Sequence, residues 1–244
     1  MELPRSREEL AKYIDHTLLN PSASYSEIDK LCDEARLYGF YAVCVNPIHV
    51  ARCRQRLQGT DVKVVSVVGF PFGASRTDVK TEEASRAIDD GADEIDFVMN
   101  IGALRSGDLL MVRRDMEQMA SLVKDRGKLS KVILETGYLT DDQKAIACQL
   151  AVEAGIDFVK TSTGYGPKGA TVEDVMLMKR AVGNRARVKA AGGITDAGKA
   201  MAMIGAGASR IGSSHGVQIL LSFNPNVEKS GRTSLSTSAL HSPI

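Results

Sequence analysis

Eight short apolar runs rich in β-branched residues recur along this chain, separated by longer segments with helical periodicity, and this alternation limits the fold more than any other feature. The runs extend from Tyr13 to Leu18, Ala42 to Asn46, Val62 to Val68, Glu94 to Met99, Lys131 to Glu135, Phe158 to Thr161, Arg187 to Ala191 and Ser209 to Gly212. Strand and helix in alternation predict repeated βα units on a parallel sheet, and eight of them close into a single (β/α)8 TIM barrel. A length of 244 residues suits one such domain. The barrel is assigned to residues 1–222; residues 223–244 turn to Ser, Thr and other polar residues with little periodicity, which predicts a flexible tail.

The intervening segments behave as outer helices. SEIDKLCDEARLYG, TDVKTEEASRAIDDGA and TDDQKAIACQLAVEAG each open on a Ser, Thr or Asp cap and end near glycine. In the second, Val79, Ala84, Ala87 and Ile88 are expected on the barrel face, with Lys80, Glu83, Arg86 and Asp90 toward solvent. With 31 basic and 30 acidic residues the net charge is +1, too weak a field to recruit nucleic acid or an anionic membrane. No apolar run approaches the roughly 20 residues that span a bilayer, and the N-terminus lacks the form of a secretion signal. Cys32, Cys44, Cys53 and Cys148 form no C-x-x-C pair. Together these features predict a cytoplasmic protein with reduced thiols.

In a barrel of this kind function sits at the C-terminal ends of the strands, and here Asp15, Asp96, Glu135, Lys160 and Lys189 interrupt runs that otherwise read as core. Alternation along a strand lets Lys160 and Lys189 both point into the mouth. Neighbouring strands about 4.8 Å apart could bring the two amines within about 6 Å, where like charges repel by roughly 3 kcal/mol at an effective dielectric near 20. That would make one amine deprotonate about a hundredfold more readily, and a neutral amine is what attack on a carbonyl requires. The plainer reading is that each lysine pairs with a neighbouring carboxylate. An imine needs a nearby acid or base to take a proton from the adjacent carbon, and Asp96 in EIDFVMN is the candidate, directly or through water; alternatively it only neutralises the lysines.

Two glycine-rich segments, AAGGITD and RIGSSHG, follow the last two runs, where barrels often hold phosphate on backbone N–H groups. Gly192, Gly193, Gly212, Ser213 and Ser214 could cradle a dianion there, or simply make βα turns. The G-x-G-x-x-G match from Gly164 to Gly169 is not read as a dinucleotide site, because Pro167 interrupts it and the next strand carries Lys189 where an acidic ribose ligand would be wanted. His16, His49, His215 and His241 have no spacing suited to zinc, and no metal is expected.

At these residues the chain resembles the deoxyribose-phosphate aldolase family: YIDHTLL, AVCVNP, VVGFPFG, EIDFVMN, VILETGYL, FVKTSTGYG, VKAAGGI and RIGSSHGV occur in that order between Tyr13 and Val217. The resemblance implies a class I aldolase, a lyase with Lys160 as Schiff-base lysine, Lys189 as the partner that lowers its pKa, and Asp96 as proton-relay carboxylate. It puts Asp15, Thr17 and Cys44 near the substrate and gives Thr163, Gly164, Gly192, Gly193, Ser213 and Ser214 to the phosphate end. The implied reaction is reversible cleavage of 2-deoxyribose 5-phosphate to acetaldehyde and glyceraldehyde 3-phosphate, in deoxyribose phosphate catabolism, without metal or organic cofactor. Its partners would be the phosphosugar and aldehydes, with a homo-oligomer such as a dimer left open. Some members end in a tyrosine that folds over the site; this chain ends HSPI. His215 stands where a small residue is usual and is read as a helix cap. Another phosphate-handling barrel, or a barrel that binds a phosphosugar without turnover, remains in competition at this point.

Overall fold

The computed structural model describes residues 3–224, so all but the first two residues of the tail expected at 223–244 lie outside the described residues. Eight parallel strands close on themselves in sequence order: β1 (Ile14–Leu18), β2 (Ala42–Val45), β3 (Lys63–Val68), β4 (Glu94–Val98), β5 (Leu129–Ile133), β6 (Phe158–Lys160), β7 (Arg187–Ala191) and β8 (Arg210–Ser213). Each of the eight expected runs overlaps one strand. Strand β5 ends at Ile133, two residues early, and Glu135 explains why: its backbone turns left-handed at φ 54°, a conformation that no strand continues through.

Helices alternate with the strands because their ends are marked locally. Ser24 with Glu27, and Thr140 with Gln143, form reciprocal capping boxes at the starts of Tyr25–Tyr38 and Asp141–Glu153. Gly39 closes the first of these in the left-handed conformation that glycine adopts without strain.

The helix Thr77–Asp89 corrects one expectation. Lys80 is fully buried and Val79 is 53% exposed, the reverse of their assignment. At 100° per residue, positions 80, 84, 87 and 88 share one face while 79 lies well off it, so Lys80 belongs with Ala84, Ala87 and Ile88. Its ammonium is satisfied in place: Nζ pairs with Asp115 at 2.7 Å and donates to the Val98 carbonyl at 2.9 Å. The apolar stripe was real, but its inner edge is a lysine whose charge is met by the neighbouring helix.

Alternation along the strands divides the molecule into two cores. Outward residues such as Val43, Val64, Ile95, Phe97, Val132, Val159, Val188 and Ile211 pack under the helices in one continuous cluster. Inward residues form a second, much smaller cluster of Leu19, Ala42, Cys44, Val65 and Val67, all on the β1–β3 side. Toward β4–β8 the interior carries charged side chains, with the Phe158 ring packed among them.

Candidate active site

Asp96 lies at the centre of that charged interior. Its Oδ1 accepts from Lys131 Nζ at 2.7 Å, and its Oδ2 accepts from both Lys160 Nζ and Lys189 Nζ at 2.8 Å. Adjacency follows from register, since Lys160 pairs with Lys189 across β6 and β7, and Asp96 with Lys131 across β4 and β5. Lys189 also contacts Asp15, which accepts from Arg210 at 2.8 Å; Arg210 bridges on to Glu94, and Glu94 to Lys131. All seven groups are buried.

Four cations thus face three carboxylates. Lys131, Lys189 and Arg210 each hold two carboxylates, whereas Lys160 holds only Asp96. Loss of a single proton would leave the cluster balanced, and charge left uncompensated in a buried site is costly. Lys160 is also the cation of this cluster whose side chain lines the cavity above.

Electrostatics fix the roles of the neighbours. Burial alone would raise the Asp96 carboxyl, but the three lysines outweigh it and hold it well below the usual carboxylate range. Burial likewise works against the Lys189 ammonium, yet Asp15 and Asp96 hold its pKa well above the ordinary lysine value. Asp15 loses to burial and gains more from Arg210, Lys189 and Lys131, settling at about 2. The lysine pair is therefore not a bare repulsive one as the sequence suggested: Asp96 stands between the amines, and Lys189 is a fixed cation.

A cavity of about 420 Å³ opens above this cluster, within the range of small-molecule sites, roughly 300–1,000 Å³. Of the residues expected at the site, Thr17, Lys160, Thr163, Gly164, Gly192, Gly193, Gly212, Ser213 and Ser214 line it. Asp15, Asp96 and Lys189 lie beneath its floor, fully buried. Cys44 does not line it; the thiol sits in the apolar interior cluster, and burial pushes its pKa up.

Gly192 and Gly193 both have positive φ, at 93° and 76°. Gly192 turns against Gly169, where an added Cβ would meet the Gly192 carbonyl oxygen at 2.3 Å, so neither position admits a side chain readily. Ser213 Oγ is committed to the loop, donating to the Ile194 carbonyl at 2.6 Å and accepting from His215 N at 2.9 Å. Ser214 is exposed at the opening. His215 occupies the N-cap position of the helix Gly216–Ser222 without a side-chain cap bond.

Lys131, Glu94 and Arg210 were not among the expected site residues, though a signal existed. Glu94 lies two residues before Asp96 and Arg210 two before Gly212, on the same inward faces. Glu135, noted only as a polar strand end, accepts from Thr163 N at 3.1 Å and from the Thr163 hydroxyl beside the cavity.

A closed (β/α)8 barrel with a lysine at the base of a small-molecule cavity, held by one carboxylate among fixed cations, has the form of an enzyme acting on carbonyl compounds. Residues 9–222 match the model of the DeoC/LacD family aldolases, and the chain belongs to that family. It is 57% identical over 214 residues to the deoxyribose-phosphate aldolase of Thermococcus gammatolerans, covering 87% of this chain and 95% of that one. Over 212 residues it is 57% identical to the deoxyribose-phosphate aldolase of Aciduliprofundum boonei, covering 87% and 96%. Among solved structures, the tetrameric deoxyribose phosphate aldolase of Aeropyrum pernix superposes with a TM-score of 0.84 at 35% identity, covering 89% of this chain and 92% of that one. The chain is an aldolase, and so a lyase.

Proposed function

We propose that this aldolase is of class I and cleaves 2-deoxyribose 5-phosphate reversibly to acetaldehyde and glyceraldehyde 3-phosphate through a Schiff base on Lys160. One observation carries the reading: Lys160 is the cation with a single carboxylate partner in a buried cluster, and it opens into the cavity. Its neutral amine adds to the C1 aldehyde of the open-chain sugar, and loss of water gives an iminium. Removal of the proton from the C3 hydroxyl then breaks the C2–C3 bond, its electrons passing to C2 as an enamine while C3 leaves as the aldehyde of glyceraldehyde 3-phosphate. Protonation at C2 and hydrolysis release acetaldehyde and free the amine.

Asp96 relays protons through water; its carboxylate is held too acidic by the lysines to be a strong base itself. Lys189 supplies a fixed positive charge beside the reacting nitrogen. Gly192, Gly193 and Ser214 would receive the phosphate on backbone N–H groups, as late barrel loops commonly do. The reaction as drawn draws on no metal or organic cofactor. A cytoplasmic setting with reduced thiols fits the four buried free cysteines, and no helix among the described residues is long and apolar enough to cross a membrane. Self-association is also proposed, on the precedent of the tetrameric Aeropyrum pernix structure.

The test is to incubate the protein with 2-deoxyribose 5-phosphate and measure acetaldehyde and glyceraldehyde 3-phosphate with and without a chelator. Cleavage unaffected by the chelator is expected. Binding without either product would instead indicate a silent phosphosugar barrel, and faster cleavage of another phosphosugar would reassign the substrate.

A further inference from the structure

The cavity is lined by segments at the ends of β1, β6, β7 and β8, so something must bound it on the β2–β3 side. Tyr165 stands there. It leaves the loop after β6, crosses the mouth, and donates its hydroxyl to the Leu19 carbonyl after β1 at 2.9 Å. Its ring meets Phe70, after β3, edge to face with centroids 5.6 Å apart. Tyr165 is 53% exposed, yet its side chain is held by the Leu19 carbonyl and by Phe70.

The root of this span is braced from below. Tyr165 N donates to Thr163 Oγ1 at 3.0 Å, and Thr163 gives both its own N–H and its hydroxyl to Glu135 Oε2. Glu135 is 1% exposed, and its second oxygen has no protein partner. The loop closes directly on it: a Cβ added at Gly166 would lie 2.5 Å from the Glu135 carboxyl carbon. Such a residue, held left-handed at φ 54° without being glycine, persists only when its surroundings over-determine it.

We propose that Tyr165 is a specificity-determining residue, a wall that limits the cavity to short acceptor aldehydes, and that Glu135 is the positioning residue that holds it through Thr163. The proposal rests on the aldolase reading above. A chain running from Lys160 toward Gly193 and Ser214 has this ring along its flank, so substituents beyond a triose in length or bulk meet the phenol rather than solvent.

The experiment measures kcat/KM in the synthetic direction, with acetaldehyde as donor and either glyceraldehyde 3-phosphate or a bulkier aldehyde such as phenylacetaldehyde as acceptor. In Tyr165→Ala the ratio of bulky to triose acceptor should rise about tenfold or more, the scale on which pocket contacts discriminate, with the loss on the triose substrate falling mainly on KM. Glu135→Ala should move the ratio the same way, and Glu135→Gln, which keeps an acceptor oxygen for Thr163, should restore it. If Glu135→Ala does not fold, Thr163→Val reads the same brace. An unchanged ratio in Tyr165→Ala overturns the wall, and a Gln variant that behaves like Ala overturns the brace. Trapping of Lys160 in the unsubstituted protein is scored separately, so failure of the catalytic reading is not confused with failure of this one.

Discussion

The barrel interior has two unlike halves. From β4 round to β1, Glu94, Asp96, Lys131, Lys160, Lys189, Arg210 and Asp15 form a continuous ionic network; across from it Ala42, Cys44, Val65 and Val67 pack as ordinary core. Both halves fill the same space on strands of the same geometry. Well-packed apolar residues of like volume are often as stabilising as a buried ionic network, or more so. Keeping seven charged groups on one side therefore points to chemistry, and the apolar half serves as the scaffold against which they are held.

Substitutions can break this contrast, and their effects should differ in kind. Lys160→Ala removes the reacting nitrogen and should bring aldol cleavage down to background, while thermal unfolding shifts little because a single carboxylate contact is lost. Asp96→Asn comes next: it leaves three ammonium groups short of a partner, so activity should fall about 10²- to 10⁴-fold and stability by about 3–5 kcal/mol, read by steady-state assay and denaturant titration. The coincidence of both losses at one residue would mark the charged half as structural and catalytic together.

The pH dependence of stability sharpens the comparison further. Asp15 has its carboxyl held at about 2 against an ordinary 3.8, a folded-state value below the unfolded one. Its contribution is thus present above the ordinary carboxylate pKa and is lost as pH falls through about 2. Asp15→Asn should flatten the fall in stability between about pH 4 and pH 2, measured by urea titration across that window. The smallest effect is expected in the apolar half, where Cys44→Ala should cost about 1 kcal/mol and leave kcat/KM within about threefold of the unsubstituted protein. A loss beyond tenfold would return Cys44 to the substrate site, where family resemblance placed it.

The two halves were also unequally legible in the sequence. Apolar runs with helical segments between them sufficed for the barrel, because strand count and connectivity depend on local pattern. Lys160, Lys189 and Asp96 stood out as polar interruptions of core strands, and their contact follows from the alternation rule. Lys131, Glu94 and Arg210 lie on the same inward faces, but only closure of the barrel shows Arg210 on β8 reaching Glu94 on β4. Lys80 was misplaced for a related reason: a lysine on a helix reads as solvent-facing until Asp115 appears opposite it. Glu135 and Tyr165 depend on a loop path that no periodicity encodes. The cavity residues from Gly192 to Ser214 were legible as glycine-rich turns at the ends of the last strands.

The central claim is that Lys160 forms the covalent intermediate. Reduction with borohydride in the presence of acetaldehyde or 2-deoxyribose 5-phosphate, followed by peptide mass mapping, tests it most directly. The account predicts a stable adduct on the peptide containing Lys160; an adduct on Lys189 instead, or none on a protein that still cleaves the sugar, would contradict it.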